Sequence, residues 1–243
     1  MPLKICINGA KGRMGQAVER AAREADVEVA GRADLGDDLE AALAPADVVV
    51  DFSFHTATRP VFETAAKLGK AVVCGTTGHG EAERAQLEKL ARQTRVVWAG
   101  NFSVGVNLLA HLAATAARIL PPSYNAEIVE MHHRLKKDAP SGTAWMLADA
   151  VAGPRGGSRR DVRHGREGIV GERPEREIGM HSARGGDVVG DHTLIFADLG
   201  ERVELVHKAS DRAIFARGAL RAAAWVVDQP PGLYRMNDVL GLA

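Results

Sequence analysis

The chain of 243 residues has few aromatic side chains, 5% of the total, and its 31 basic and 31 acidic residues leave no net formal charge. A surface that stacks nucleobases needs aromatic platforms, and one that tracks phosphates or acidic lipid needs excess positive charge; this composition argues against both. No apolar run approaches the about 20 residues of a membrane-spanning helix. The opening residues, MPLKICINGAKGRMG, turn polar too soon for a secretory leader, so a cytoplasmic protein is expected. There are only two cysteines, Cys6 and Cys74, each in or at the end of an apolar run. They read as reduced core residues, since neither begins a helix where a thiolate would be stabilised. Metal-ligand spacings such as HExxH or paired CxxC are missing, so no metal is expected.

What is there is a globular composition, 46% hydrophobic, in a chain long enough for one large or two modest domains. Over the first hundred residues, short runs rich in Val and Ile alternate with helical patterns. The strand candidates are 3–8, 27–31, 48–52, 71–74 and 95–99; the helix candidates are 14–25, 39–43, 56–68 and 81–93, with Gly69 as a stop. This is the doubly wound α/β pattern, a parallel sheet covered on both faces. After Asn101 the pattern changes. A helix at 104–120 ends at Pro121 and Pro122, a strand follows at 125–132, and a helix at about 142–152. Residues 153–176 read as a long loop without periodicity, and 177–184, 191–199 and 202–209 as strands. That describes a second, α+β domain with a mixed sheet. The helix expected at 213–227 is placed to return to the first domain.

The first strand runs into GAKGRMG, with Gly9, Gly12 and Gly15 at a strand-to-helix turn. Such a turn lets backbone approach a pyrophosphate, and the helix start faces it with free N–H groups. A dinucleotide site also needs a group at the end of the second strand to read the adenosine ribose. Arg32 favours the 2′-phosphate of NADPH and Asp34 the diol of NADH, which leaves the preference open. The DFSF (51–54) and GTTG (75–78) loops follow strands three and four and belong at the same edge, where Thr76 and Thr77 can hydrogen-bond a ribose or carboxamide.

The densest chemistry lies in EMHHRLKKDAPSGTA, residues 130–144. His132, His133, Lys136 and Lys137 precede a turn in which Ser141 or Thr143 can cap a helix. Imidazoles and ammonium groups beside a helix start suit holding a carboxylate and moving a proton.

Together with AGNFSVGVN (99–107), GREGIVGER (165–173), RGGDVVGDHTLIF (184–196) and HKASDR (207–212), these motifs resemble the dihydrodipicolinate (4-hydroxy-tetrahydrodipicolinate) reductases of the diaminopimelate route to lysine. The resemblance spans essentially the whole chain. It implies a dinucleotide-binding domain of residues 1–102 and 213–243, a substrate and tetramerisation domain of 103–212, and a homotetramer. It implies that NADH or NADPH delivers hydride to ring C4 of the substrate after loss of water, giving tetrahydrodipicolinate. His132 then corresponds to the general acid/base and Lys136 to the proton donor. His133, Lys136, Ser141, Gly142 and Thr143 correspond to substrate-binding residues. Gly9, Ala10, Lys11, Gly12, Arg13, Met14, Gly75, Thr76, Thr77, Ala99, Gly100, Asn101, Phe102 and Arg212 correspond to the coenzyme site, with Arg32 or Asp34 at the ribose. No nucleic acid or membrane partner is implied.

The sequence departs from the family at the end of the second strand, where Gly31 and Arg32 stand in place of the usual acid, and at Leu135, often polar in the family. Two other readings compete. A semialdehyde dehydrogenase needs a thiol nucleophile at a helix start, which neither cysteine supplies. A non-catalytic NAD(P)-binding sensor of the same fold predicts coenzyme binding without turnover.

Overall fold

A computed structural model describes residues 2–242. The chain divides into two compact units, Met1–Val104 with Arg212–Ala243, and Gly105–Asp211. The first unit opens with β1 (Lys4–Asn8), α1 (Arg13–Glu24), β2 (Glu28–Ala33), α2 (Leu39–Leu43), β3 (Val48–Asp51), α3 (His55–Leu68), β4 (Ala71–Cys74), α4 (Glu81–Ala91) and β5 (Arg95–Trp98). The helix α5 (Val104–Ile119) leads into the second unit, followed by β6 (Asn125–His132), α6 (Gly142–Ala152), β7 (Val162–His164), β8 (Ile178–Arg184), β9 (Gly190–Asp198) and β10 (Glu201–Ala209). The chain then re-enters the first unit with α7 (Ala213–Val226), β11 (Gly232–Tyr234) and α8 (Met236–Leu240).

In the first unit the strands lie in the order β11-β5-β4-β3-β1-β2, every neighbouring pair parallel. All residues of β3 and β4 are buried, as a sheet covered on both sides demands. One face packs on α1, α7 and α8 through Val18, Ala22, Ala219 and Val239; the other packs on α2, α3 and α4 through Leu43, Phe62 and Leu87. Burying a side chain such as Phe62 contributes on the order of 2 kcal/mol. Gly69, in the left-handed region at φ 67°, terminates α3. The order reverses at β1: β2 lies on one side and β3 on the other. Ligands of doubly wound folds bind at such a reversal, beyond the carboxyl ends of the strands.

The second unit holds a mixed sheet in the order β10-β9-β6-β8-β7, in which β6 runs parallel to β8 and antiparallel to β9. Burial alternates along β6 and β9, so one face is core and the other is open. The core face packs on α5 and α6 through Ala113, Leu147, Val151, Ile128, Leu194 and Phe196.

Residues 153–176 correct the expectation of an unstructured loop. They contain two single-turn helices, Gly153–Arg155 and Arg159–Asp161, and the edge strand β7. The rest is tied down: Arg166 donates to Glu127 and Glu177, and Arg173 to Glu127 and to the backbone oxygen of Ala126. The strand β11 and helix α8 have no counterpart in the sequence reading. The second strand runs on to Ala33, two residues past its expected end, because pairing with β1 continues to Asn8.

Candidate active site

The coenzyme end is built where β1 meets α1. Gly9 has φ 79°, and a Cβ there would stand 2.7 Å from the backbone oxygen of Phe52. A Cβ on Gly15 would stand 2.3 Å from the oxygen of Gly9. Glycine at both positions lets the turn close against α1 and against the loop after β3. The N-cap of α1, Gly12, has no side chain to cap the helix, and the first turn carries no acidic residue. The start of α1 therefore offers backbone N–H groups in a positive field, with the exposed Lys11 and Arg13 beside it, and fits a pyrophosphate.

At the end of β2 the two ribose candidates part ways. Asp34 leans over the glycine turn, where its carboxylate accepts the backbone N–H of Lys11 at 3.2 Å. The Arg32 guanidinium is drawn back onto Glu19 of α1 at 2.9 Å. Of the two threonines after β4, Thr77 is exposed, whereas Thr76 is buried and its hydroxyl donates to Asp51 at 2.8 Å. This corrects the expectation that the Thr76 hydroxyl faces a ligand: it is occupied inside the protein. In the segment after β5, the ring of Phe102 meets that of Phe52 edge to face at 5.8 Å, and the Asn101 side chain accepts from the N–H of Ser103. Ala99 hydrogen-bonds back to the oxygen of Cys74, with Gly100 following, and Arg212 stands at the N-cap of α7. Cys6 and Cys74 are free and buried; burial pushes the Cys6 thiol up to about 12 and that of Cys74 well above its ordinary value.

The His/Lys segment begins on β6. Glu130 and His132 alternate onto its buried face, and pairing sets His132 opposite Arg184 of β8 and Glu130 opposite His192 of β9. Glu130 is fully buried and accepts four hydrogen bonds. Two come from Arg184 at 2.9 Å each, one from His132 Nδ1 at 2.5 Å, and one from the backbone N–H of Ser141 at 3.2 Å. Burial alone would raise its carboxyl, but the bonds from Arg184 and then His132 outweigh it and hold the group below the usual range. For His132 the balance falls the other way: burial lowers it more than Glu130 raises it. His132 is thus an imidazole whose Nδ1–H is engaged by Glu130, with Nε2 as its remaining acceptor. The His192 ring packs edge to face on His132 at 5.1 Å and is pushed down to about 4, chiefly by burial, so it remains neutral.

Beyond β6 the chain turns through half-buried His133 to Lys136, whose ammonium bonds both oxygens of Asp138 at 2.8 Å. The Asp138 carboxyl lies below its ordinary value, first because of that bond. Ser141 is the N-cap of α6: its hydroxyl accepts from the N–H of Ala144 and lies 3.2 Å from His192 Nε2. Gly142 is exposed at the first position of α6, followed by the half-exposed Thr143. The structure therefore brings His132, Lys136 and the start of α6 into one cluster, in which the N–H and hydroxyl of Ser141 already have internal partners. Sequence reading missed Glu130, Asp138, Arg184 and His192 as its supports. Period-two spacing put Glu130 beside His132; the other two strands' contributions depend on register.

Residues 3–102 match the family model for the dihydrodipicolinate reductase N-terminus and residues 105–240 that for its C-terminus. The chain belongs to the dihydrodipicolinate reductase family. It is 51% identical over 243 residues to a 4-hydroxy-tetrahydrodipicolinate reductase of Akkermansia muciniphila, covering 99% of both chains. It is 46% identical over 270 residues to one of Halorhodospira halophila, covering all of each. In fold it is similar to a dihydrodipicolinate reductase of Paenisporosarcina sp. TG-14 solved with dipicolinate bound. The TM-score is 0.76 at 23% identity, over 97% of this chain and 98% of that one. The family's C-terminal match runs through α7, β11 and α8, which fold into the first unit. Dihydrodipicolinate reductases are oxidoreductases, and the N-terminal domain of the family binds NAD(P).

Proposed function

We propose that this chain reduces 4-hydroxy-tetrahydrodipicolinate, with loss of water, to tetrahydrodipicolinate in the diaminopimelate route to lysine, and that His132 and Lys136 move its protons. The family membership over the full length carries the reaction. The observation that carries the residue roles is the Glu130–His132–Lys136 cluster at the start of α6.

NADH or NADPH supplies the hydride, to ring C4. Gly9 to Met14 and the start of α1 hold its pyrophosphate, Asp34 or Arg32 its ribose, and Gly75 to Thr77, Ala99 to Phe102 and Arg212 the remainder. Thr76 contributes through its backbone, since its hydroxyl is committed to Asp51. On the substrate side, Gly142 and Thr143 at the positive end of α6 receive a carboxylate, with His133 beside them. A second negative group draws Lys136 away from Asp138, an exposed partner whose ion pair costs little to give up. The Lys136 ammonium then stabilises the charge that hydride addition builds on the conjugated imine, and protonates the ring carbon next to the hydride acceptor. Glu130 keeps Nδ1 of His132 engaged, so Nε2 is the atom that gives and takes a proton. Ser141 serves by fixing Glu130 and α6.

The outer face of the second unit's sheet supports a homotetramer. Across it run Val129, Thr193 and Val206, in register on β6, β9 and β10, with Val129 41% and Val206 49% exposed. Such an apolar row on an open sheet fits another copy of the same face. No helix among the described residues is long and apolar enough to cross a membrane; with a balanced charge, this supports a cytoplasmic protein without nucleic-acid or membrane partners.

The test is oxidation of NADH and NADPH with substrate freshly made from pyruvate and aspartate semialdehyde. Turnover is expected, and His132→Ala should lower kcat about a hundredfold or more. Coenzyme binding without turnover would favour the sensor reading, and an unimpaired His132→Ala enzyme would remove that histidine from proton transfer.

A further inference from the structure

The first unit buries one carboxylate that the reaction does not use. Asp51, the last residue of β3, is fully buried, and every hydrogen bond described at its carboxylate comes from a neutral donor. Oδ1 accepts from Asn8 Nδ2 at 2.7 Å, from the Ser53 hydroxyl at 2.5 Å and from the Ser53 N–H at 3.3 Å. Oδ2 accepts from the Thr76 hydroxyl at 2.8 Å, with the Cys74 thiol at 3.7 Å. The Thr76 oxygen in turn accepts the N–H of Ser53. A buried acid is costly unless its site is needed, and this one is equipped with donors from three separate strand ends.

Those strand ends are the informative part. Asn8 ends β1 and immediately precedes the glycine turn; Ser53 lies in the loop after β3; Thr76 lies in the loop after β4. These strands are adjacent in the order β4-β3-β1, at the point where the sheet order reverses. The loops also touch through Phe52, whose backbone oxygen closes on Gly9 and whose ring lies where a Cβ of Gly75 would be, at 2.0 Å. We infer that Asp51 is a positioning residue for the dinucleotide: it ties the glycine turn and the two loops after β3 and β4 into one preorganised edge. The inference rests on the coenzyme site proposed above.

A residue that only holds the fold together would, when replaced, lower the melting temperature and the fraction of active enzyme, leaving KM of the survivors unchanged. A positioning residue moves KM for the coenzyme. Asp51→Asn keeps shape but turns an amide toward donors that need acceptors. It should raise KM and Kd for NADH about tenfold, the effect of losing roughly one charge-assisted hydrogen bond. KM for the dicarboxylate substrate should stay within about twofold. Ser53→Ala, which removes one half-buried donor, covers the case that Asp51→Asn does not fold; it should raise KM for NADH about threefold. Coenzyme KM at the wild-type value in folded Ser53→Ala and Asp51→Asn enzymes would overturn the inference. So would equal increases in both substrates' KM. Failure of the wild-type enzyme to oxidise either coenzyme would instead overturn the proposed function.

Discussion

A carboxylate and a guanidinium two residues apart decide how the adenosine ribose is read. Asp34 is already placed by the Lys11 N–H at the glycine turn, where it favours a ribose diol and repels a 2′-phosphate. Arg32 is half exposed and held by Glu19, an ion pair of the kind that contributes little and is readily exchanged for phosphate. Asp34→Ala and Arg32→Ala should therefore move the ratio of kcat/KM for NADH over NADPH in opposite directions, down and up, by about tenfold each. Steady-state kinetics with both coenzymes check this; movement in the same direction would show that the two residues do not compete for one ribose. Residue types were legible in the sequence here, but pairings were not. Glu19 is thirteen positions from Arg32, and the hydroxyl of Thr76 is claimed by Asp51, twenty-five positions away. Contacts of that kind depend on how α1 lies beside β2 and how β3 pairs with β4, which no local pattern records.

One strand, β6, organises the second unit: its inward face carries Glu130 and His132, and Glu127 anchors the segment from Arg166 to Glu177. Periodicity gave β6 and α6 their limits because long amphipathic elements advertise themselves. The three-residue strands β7 and β11 escaped because they bury little of their own and exist through pairing with β8 and β5. The segment before β8 seemed irregular because its order comes from arginine forks rather than an apolar face. Burial would raise the Glu127 carboxyl, but Arg166, His181 and Arg173 hold it down, from 4.5 to about 2. A depressed acid stabilises the fold above its unfolded pKa and loses that contribution as pH falls through the folded value. The Glu127 contribution, on the order of 3 kcal/mol, is thus fully present at neutral pH and fades between about pH 4.5 and 2. Denaturant titrations should show Glu127→Gln less stable than the wild type at pH 7, with the gap closing across that acid window. A gap independent of pH would mean that the carboxylate charge is not what holds the segment.

At the scale of the whole molecule, a sheet with one face covered by α5 and α6 leaves the other to be accounted for. Its central row, Val129–Thr193–Val206, is flanked by the in-register rows Glu127–Ile195–Glu204 and Met131–Asp191–Lys208, so an apolar stripe is bordered by charge. An isologous contact places each stripe on its own copy, and the borders can pair acid with base across the axis. Both the stripe and its borders were present in the sequence, but which face α5 and α6 would leave open depends on packing. Val206→Glu places a charge in the stripe on β10, away from Glu130, His132 and Lys136. A carboxylate buried there without a partner is strongly unfavourable, whereas on a free surface it is harmless. Sedimentation should therefore show the wild type as a tetramer and Val206→Glu as a smaller species at the same concentration, with far-UV circular dichroism unchanged. A Val206→Glu protein that sediments as the wild type does would show that this face is not where the copies meet.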